Sequence, residues 1–593
     1  MAVSVGDDGI LMETRKTTSE TGGDAAAGPT PGIGRGRPRR WVFAGAAMLA
    51  GLLPLVVLEA GLRLFDVGRP AENPDPFSGF NRNFPLFERQ GAVYRTARAR
   101  APFIGPQEFP AEKPRNGFRI FCFGGSTVYG HPYLADTAFP KWLELELTGR
   151  DPARSWQAIN CGGVSYASYR IVPMVKEVMS YQPDLIIVAT GHNEFLEDRT
   201  YHSLKSRSAV WQWVQARVGS LHLAELVRGW VNRSPAAVAD APDPELAPTV
   251  ITRLDFDSGY ASYRRDDAWH QSVLAQYDDS VREIVATCRK AHVPILLVRL
   301  GSNLRDCPPF KSEHRAGLAP EVERDWQAAF DLATVAEKPD PGRALRYYLE
   351  AAAIDPQYAL LDYRIARLLD RTGRAPEALP YYQQARDEDI CPLRIMAPLE
   401  EALRRIAAET RVPLVDAATM LASRCPDGIP GFDWYVDHVH PTIGGHQQIA
   451  RALTAEMRTG GLLPAATAWP EAQRIEAYAR HLGGLGHAYF TDGERRVGWL
   501  ENWAKRQRLA GETFPCDAAG YARLSFRRLD LGQDEAAWTA LREALTRDGA
   551  VIELIRKHAG DLLAEGRADR AALLRGKLDE IGRETRLSAK PVP

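Results

Sequence analysis

The chain has 593 residues, 45% of them apolar and 25% charged, with a net charge of −1. That composition is ordinary for globular proteins, and the length allows about two to four domains. The near-neutral balance, with no basic block beyond the N-terminal arginines, offers nucleic acid no footprint. Seven cysteines occur without CxxC spacing, which argues against a structural zinc. Cys122 and Cys161 lie in apolar runs and read as small core residues, while Cys307 and Cys391 flank an insertion and could pair in an oxidising compartment.

Residues 1–40 are rich in Gly, Thr, Pro and Ala, end in Arg35, Arg37, Arg39 and Arg40, and are expected to be a disordered cytoplasmic tail. Trp41 to Leu58 is an 18-residue stretch without a charge, the lower end of what spans a bilayer as a helix. The arginines before it orient the N-terminus inward. A cleaved signal peptide and a buried core helix are the alternatives, but the segment starts late and runs into Glu59 and Arg63 with no clear cleavage site. Residues 41–65 are therefore expected to be an uncleaved anchor in the inner membrane, with the rest of the chain periplasmic or extracellular. Residues 66–116, rich in Pro, Arg and aromatics, are expected to form a stalk that packs irregularly on the catalytic domain.

Residues 117–302 open with an apolar run from Phe118 that stops at Gly124-Gly125 and presents Ser126 on a turn. Aromatic and β-branched residues suit a central strand, and two glycines permit the sharp turn after it. A helix over Phe139–Gly149, a strand at Trp156–Asn160, a helix over Ser168–Ser180 and a strand at Asp184–Thr190 follow. Helix Trp269–Ala291 and strand Pro294–Leu300 continue the pattern. Strands alternating with helices predict a parallel doubly wound sheet. Within this part, residues 200–265 carry Trp211, Trp213 and Trp230 on amphipathic spacing, read as a peripheral packing helix, a lid over the site or a membrane-facing surface.

Residues 303–390 contain an internal repeat. Ala344-Leu-Arg-Tyr-Tyr348 recurs as Ala378-Leu-Pro-Tyr-Tyr382, and Ala351 and Asp355 recur as Ala385 and Asp389, each 34 residues on. That is the period of a tetratricopeptide helical pair, whose surface normally binds a protein partner. Residues 391–463 return to the core with helix Leu393–Thr410, strand Val412–Val415, the segment Phe432–Thr442 and a closing helix over Gly444–Leu463. Residues 464–593 are expected to be helical and repeat-like, with Gly532 and Gly566 again 34 apart.

Loops after successive parallel strands then carry Ser126, Gly163 and Ser165, and Asn193, while Asp437 and His440 follow the last strand. Acyl transfer needs a nucleophile, a base, an orienter for that base and donors for an oxyanion. Ser126, His440 and Asp437 fit the first three roles. The backbone N–H groups of Ser126, Gly163 and Ser165 and the Asn193 amide fit the fourth. His438 and His440 could suggest a metal pair, but no third ligand stands at a recognisable spacing, so no metal or cofactor is expected. His192 and His438 read as bystanders.

These segments resemble the SGNH/GDSL hydrolase superfamily, whose four blocks occur in order as Gly-Gly-Ser126, Asn160-Cys-Gly-Gly-Val-Ser165, Gly191-His-Asn193-Glu194 and Asp437-His-Val-His440. With the helical repeats, the chain resembles the bacterial, membrane-anchored, repeat-containing branch. Three departures stand out: Phe-Gly-Gly-Ser-Thr replaces Gly-Asp-Ser-Leu, Ser165 takes the place of the donating glycine, and Glu194 replaces Asp. The resemblance implies a flavodoxin-like three-layer αβα sandwich. It implies an acyl-serine mechanism on an acyl ester such as an O-acetylated polysaccharide or a lipid. An O-acyltransferase with the same triad, and a protein-binding scaffold on a vestigial hydrolase fold, are the alternative functions.

Overall fold

The computed structural model describes residues 51, 53–65, 67, 85–98, 100–101, 103–205, 222–223, 263–463, 468–508, 518–530, 534–564 and 567–588. The chain forms two compact units, one of residues 1–70 and 220–231 and one of the remainder. In the smaller unit, residues 53–64 are helical. The Glu59 carboxylate there accepts the backbone N–H groups of His222 and Leu223 at 3.1 and 3.0 Å. Residues 41–50 and 52 of the expected anchor lie outside the described residues. Among the described residues no helix is long and apolar enough to cross a membrane.

The larger unit is built on a five-stranded parallel sheet of β4 (Gly117–Gly124), β5 (Ser155–Gly162), β6 (Leu185–Ala189), β7 (Ile295–Arg299) and β8 (Leu414–Asp416). Their order is β5-β4-β6-β7-β8. Counted from the first strand of the sheet this is 2-1-3-4-5, the doubly wound flavodoxin-like order. Alternation along each strand sends side chains to opposite faces. Phe121, Phe123, Ile186, Val188 and Leu297 join one buried cluster with Ile171, Val281 and Leu403 of the helices on that side. Ile120, Cys122, Leu185, Ile187 and Val298 join another with Trp142, Leu453 and Met457. The result is three layers, and every residue of β6 and β7 is buried, which explains the apolar run of β6 and of β7 as far as Val298.

The segment expected to pack irregularly on the catalytic domain does pack on it, but through regular structure. Strands β1 (Phe87–Gln90), β2 (Val93–Thr96) and β3 (Glu108–Pro110) form an antiparallel sheet. Phe87 and Phe109 insert their rings against Phe121 and Tyr181, giving this small sheet its apolar anchor. Strands of three or four residues are too short for a two-residue period to show.

Residues 303–390 hold helices Pro320–Ala336, Pro341–Ile354, Ala359–Arg371 and Ala375–Asp387. The residues repeated at 34-residue spacing are buried in both copies: Ala344 with Ala378, Tyr348 with Tyr382, Ala351 with Ala385. Asp355 accepts the backbone N–H groups of Gln357 and Arg315, and Asp389 those of Phe310, Lys311 and Cys391. Each repeated aspartate thus ties the end of a helix to the 310–315 segment. Beyond residue 463, helices Glu471–Gly484 and Gly486–Arg508 place Tyr478 and Val497 in the core of the parallel sheet's second face. The helices from Ala518 to Ser588 have their own apolar cluster. Gly532 and Gly566, and most of residues 200–265, lie outside the described residues.

Candidate active site

Every element of the site sits at the carboxyl end of the parallel sheet, where open α/β sheets keep their crevice. β4 ends at Gly124, whose Cα lies so close to β6 that an added Cβ would fall 2.1 Å from the Ala189 carbonyl oxygen. The next residue, Gly125, caps the short helix Ser126–Tyr129. A Cβ on Gly125 would fall 2.4 Å from Asn193 Nδ2, so the glycine lets that amide lie directly against the nucleophile turn. Asn160, at the end of β5, donates its amide to the Val128 carbonyl at 2.7 Å and accepts the Gly162 N–H at 2.9 Å. The second loop is thereby stitched to the first.

Ser126 and His440 stand 314 residues apart in sequence, yet Ser126 Oγ lies 2.7 Å from His440 Nε2. His440 Nδ1 lies 2.6 Å from Asp437 Oδ2. The other carboxylate oxygen of Asp437 accepts the backbone N–H groups of Val439 and His440 at 2.9 and 2.8 Å. A carboxylate on Nδ1 fixes that nitrogen as the donor and leaves Nε2 to accept the serine hydroxyl proton. Burial pushes the Asp437 carboxyl up, but the His440 and His438 rings beside it and the bonds from His440 hold it well below the usual carboxylate range. It is an anion inside the protein, as the orienter of an imidazole must be.

The expected oxyanion donors divide. Asn193 gives one amide hydrogen to the Tyr166 carbonyl at 3.2 Å, which leaves its second hydrogen for the crevice. Among the described residues nothing accepts the N–H of Ser126 or of Ser165. Ser165 has a positive φ of 61°, a left-handed conformation that glycine adopts more readily. Gly163, expected to donate as well, does not: its N–H is bonded to the Gly124 carbonyl at 3.0 Å. That bond extends the β4–β5 pairing by one residue and removes Gly163 from the donor set. Glu194 supports the loops. One carboxylate oxygen takes the Ser168 N–H at 2.9 Å and the Thr190 hydroxyl at 3.2 Å, and the other takes the Ser168 hydroxyl at 2.8 Å.

Two buried histidines near the triad are held neutral. Burial, then the neighbouring His438 and His440, lowers His192 to about 3, and its Nδ1 accepts the Ile395 N–H at 3.1 Å. Burial, then His440, lowers His446 to about 3, and its Nδ1 accepts the Phe139 N–H at 3.2 Å. His438 packs on Phe310 and keeps its Nδ1 3.8 Å from Asp437. A small crevice opens beside Gly125 and Asn193, lined by Thr127, Tyr166, Thr190 and His192.

Sequence reasoning missed the residues that brace the Asp437–His440 turn. Asn303 donates its amide to the Asp437 carbonyl at 3.1 Å and its backbone N–H to the His438 carbonyl at 2.9 Å. Arg527, from helix Ala518–Asp530, donates to the Val436 and Tyr435 carbonyls at 2.9 and 3.3 Å. Asn303 opens an insertion shortly beyond β7 and carries no local signal of this role; Arg527 looks like any other helical arginine.

The fold and site together define an α/β protein with a Ser–His–Asp arrangement beside candidate hydrogen-bond donors. No family model and no curated relative matches the chain. Among solved structures it is similar to a G-D-S-L family protein from Desulfitobacterium hafniense at 10% identity, covering 57% of this chain and 98% of that one with a TM-score of 0.25. A GDSL-like lipase from Bacteroides thetaiotaomicron is similar at 8% identity, with 59% and 93% covered and a TM-score of 0.25. An acetylxylan esterase from Geobacillus stearothermophilus is similar at 13% identity, with 58% and 96% covered and a TM-score of 0.25. Likeness this slight carries nothing about chemistry, which rests on the geometry above.

Proposed function

We propose that this chain is a serine ester hydrolase that works through an acyl group on Ser126. The observation that carries the reading is the continuous chain from Ser126 Oγ to His440 Nε2 at 2.7 Å and from His440 Nδ1 to Asp437 at 2.6 Å. His440 takes the Ser126 proton as Oγ attacks the ester carbonyl, and the developing oxyanion is met by the N–H groups of Ser126 and Ser165 and by Asn193 Nδ2. Collapse expels the alcohol with the proton from His440. Water then repeats the sequence on the acyl-serine, and Ser126 recovers its proton.

The crevice beside Gly125 and Asn193 has little room between Thr127, Tyr166, Thr190 and His192. It favours a short acyl group such as acetyl over a long chain, and an O-acetylated polysaccharide over a lipid. Transfer of the acyl group to a sugar hydroxyl shares every step up to the acyl-enzyme and differs in the acceptor alone. Attachment to the inner membrane through residues 41–65, with the catalytic unit outside the cytoplasm, is supported by the uncharged Trp41–Leu58 stretch and by the exposed Leu53, Val56, Val57 and Leu64. A tetratricopeptide-like role for residues 303–390, with a protein partner, is supported by the 34-residue repeat.

The test is turnover of a series of p-nitrophenyl esters by the purified protein beside Ser126→Ala and His440→Ala. Loss of turnover in both variants, and fastest hydrolysis of the acetyl ester, is expected. Equal turnover in all three proteins refutes the reading.

A further inference from the structure

Five residues beyond Ser126, His131 enters the site from the same turn. Its backbone N–H donates to the Ser126 carbonyl at 3.0 Å, so its position is locked to that of the nucleophile. Its ring lies 5.2 Å, centre to centre, from the ring of His440. The residue is only 4% exposed. Burial first, then repulsion from His440, lowers it to about 3, so the ring is a neutral imidazole throughout the working range of a serine hydrolase.

What sets His131 apart is its unused bonding capacity. A neutral imidazole carries one donor and one acceptor nitrogen. His192 and His446, the other two neutral rings near the triad, each spend one nitrogen on a backbone N–H, and each has its Nε2 sealed in without a partner. Among the described residues no group bonds either nitrogen of His131, and neither is among the sealed side-chain atoms. Both nitrogens are therefore open to solvent, where a water or a substrate oxygen can take up the hydrogen bond beside the base. Helix Gly486–Arg508 closes the outer side of this turn: Arg496 donates to the Pro132 carbonyl at 2.9 Å, and Glu494 bonds the Tyr133 hydroxyl.

We infer that His131 binds the alcohol-side oxygen of the reaction, making it a specificity-determining residue for the group that leaves Ser126's substrate and for the hydroxyl that attacks the acyl-enzyme. The inference rests on the acyl-serine reading. In deacylation the attacking hydroxyl, from water or a sugar, forms the new C–O bond while its proton passes to His440 Nε2. The C–Oγ bond then breaks and Ser126 Oγ takes that proton. His131 neither gains nor loses a proton in either step; one hydrogen bond holds the attacking oxygen in line. A cationic side chain in its place would oppose the imidazolium that forms on His440.

The test uses the full chain with p-nitrophenyl acetate, whose phenolate leaves without help from a hydrogen bond. Wild type, His131→Phe and His131→Gln are followed by rapid mixing, and acyl-Ser126 is quantified by mass spectrometry. In His131→Phe the acylation burst stays close to wild type. Steady-state turnover falls about 10- to 100-fold, the range covered by one lost hydrogen bond, and acyl-Ser126 accumulates. His131→Gln, which keeps a donor, recovers part of the turnover. Deacylation of His131→Phe at the wild-type rate overturns the inference, as does an equal slowing of both steps in both variants. If His131→Phe does not fold, His131→Gln decides alone: the ratio of acetyl transfer to added glycerol over hydrolysis changes by at least about threefold, and an unchanged ratio overturns the inference. Failure of the acyl-serine reading itself is distinguishable, because then no protein, wild type included, acquires an acyl group on Ser126.

Discussion

The sharpest consequence of the fold concerns Arg527, which lies far along the chain from Ser126 and in a helix with its own apolar cluster. Replacing it with methionine keeps the length of the stem and removes every donor. The guanidinium is buried, rests 5.5 Å from the Phe432 ring centre and holds the carbonyls of Tyr435 and Val436, the two residues before Asp437. A hydrogen bond from a charged donor contributes about 1.5–3 kcal/mol. The 2.9 Å bond to Val436 dominates and the 3.3 Å bond adds less, so a loss of about 2–4 kcal/mol is shared between stability and displacement of the turn. Displacement of a reacting group by about 1 Å costs on the order of 100-fold in rate. We therefore expect kcat to fall about 10- to 100-fold with KM changed less than about twofold, and Arg527→Lys to recover part of it. The assay is steady-state ester hydrolysis by the full chain, with denaturant unfolding run on the same preparations. A kcat equal to wild type in an Arg527→Met protein of measurably lower stability would show that the helix props the fold without positioning the triad.

Three further outcomes follow from the same geometry. Asn193→Ala removes the free amide hydrogen beside Ser126 and should lower kcat by about 10²–10³ with little change in KM, measured by ester hydrolysis. Ser165→Gly keeps the backbone N–H and relieves a left-handed residue, so activity should stay within about twofold while the thermal midpoint rises slightly; a large loss of activity would assign the hydroxyl a role. Asp362, buried with one carboxylate oxygen lacking a partner, is raised to about 8 by burial and by Glu388 and Asp355. The folded protein holds a proton there that the unfolded chain releases above about 4, so its contribution to stability is full below pH 4 and is lost as pH rises through 8. Asp362→Asn should flatten that slope in chemical unfolding and stabilise the protein by about 1–3 kcal/mol at pH 8, with little effect at pH 4.

Much of this was legible in the sequence for identifiable reasons. Strands buried on both faces, such as Leu185–Ala189, write themselves as unbroken apolar runs, and Gly124-Gly125 announces the turn at Ser126. Asp437 and His440 could be matched to Ser126 because triad chemistry restricts residue type at each position. What escaped depends on choices of partner that no local pattern records. Gly163 carries an N–H like any residue, and only the pairing with Gly124 shows that it is spent. The short strands of residues 87–110 are set by the insertion of Phe87 and Phe109 against the main sheet, a tertiary effect. Arg527 meets carbonyls 91 and 92 residues away, and helical spacing reads it as a surface residue. His131 stood in plain view five residues after the nucleophile, and its meaning depends on the ring it faces.

The central claim is that Ser126 is the atom that attacks. Treating the full chain with a fluorophosphonate ester, digesting it and sequencing the modified peptide by mass spectrometry tests this directly. The account predicts one phosphonyl group, on Ser126, in wild type and Arg527→Lys, and none in Ser126→Ala. It also predicts that His440→Ala is labelled at least about 10²-fold more slowly. A label on another residue, or labelling of Ser126 at the same rate without His440, would contradict it.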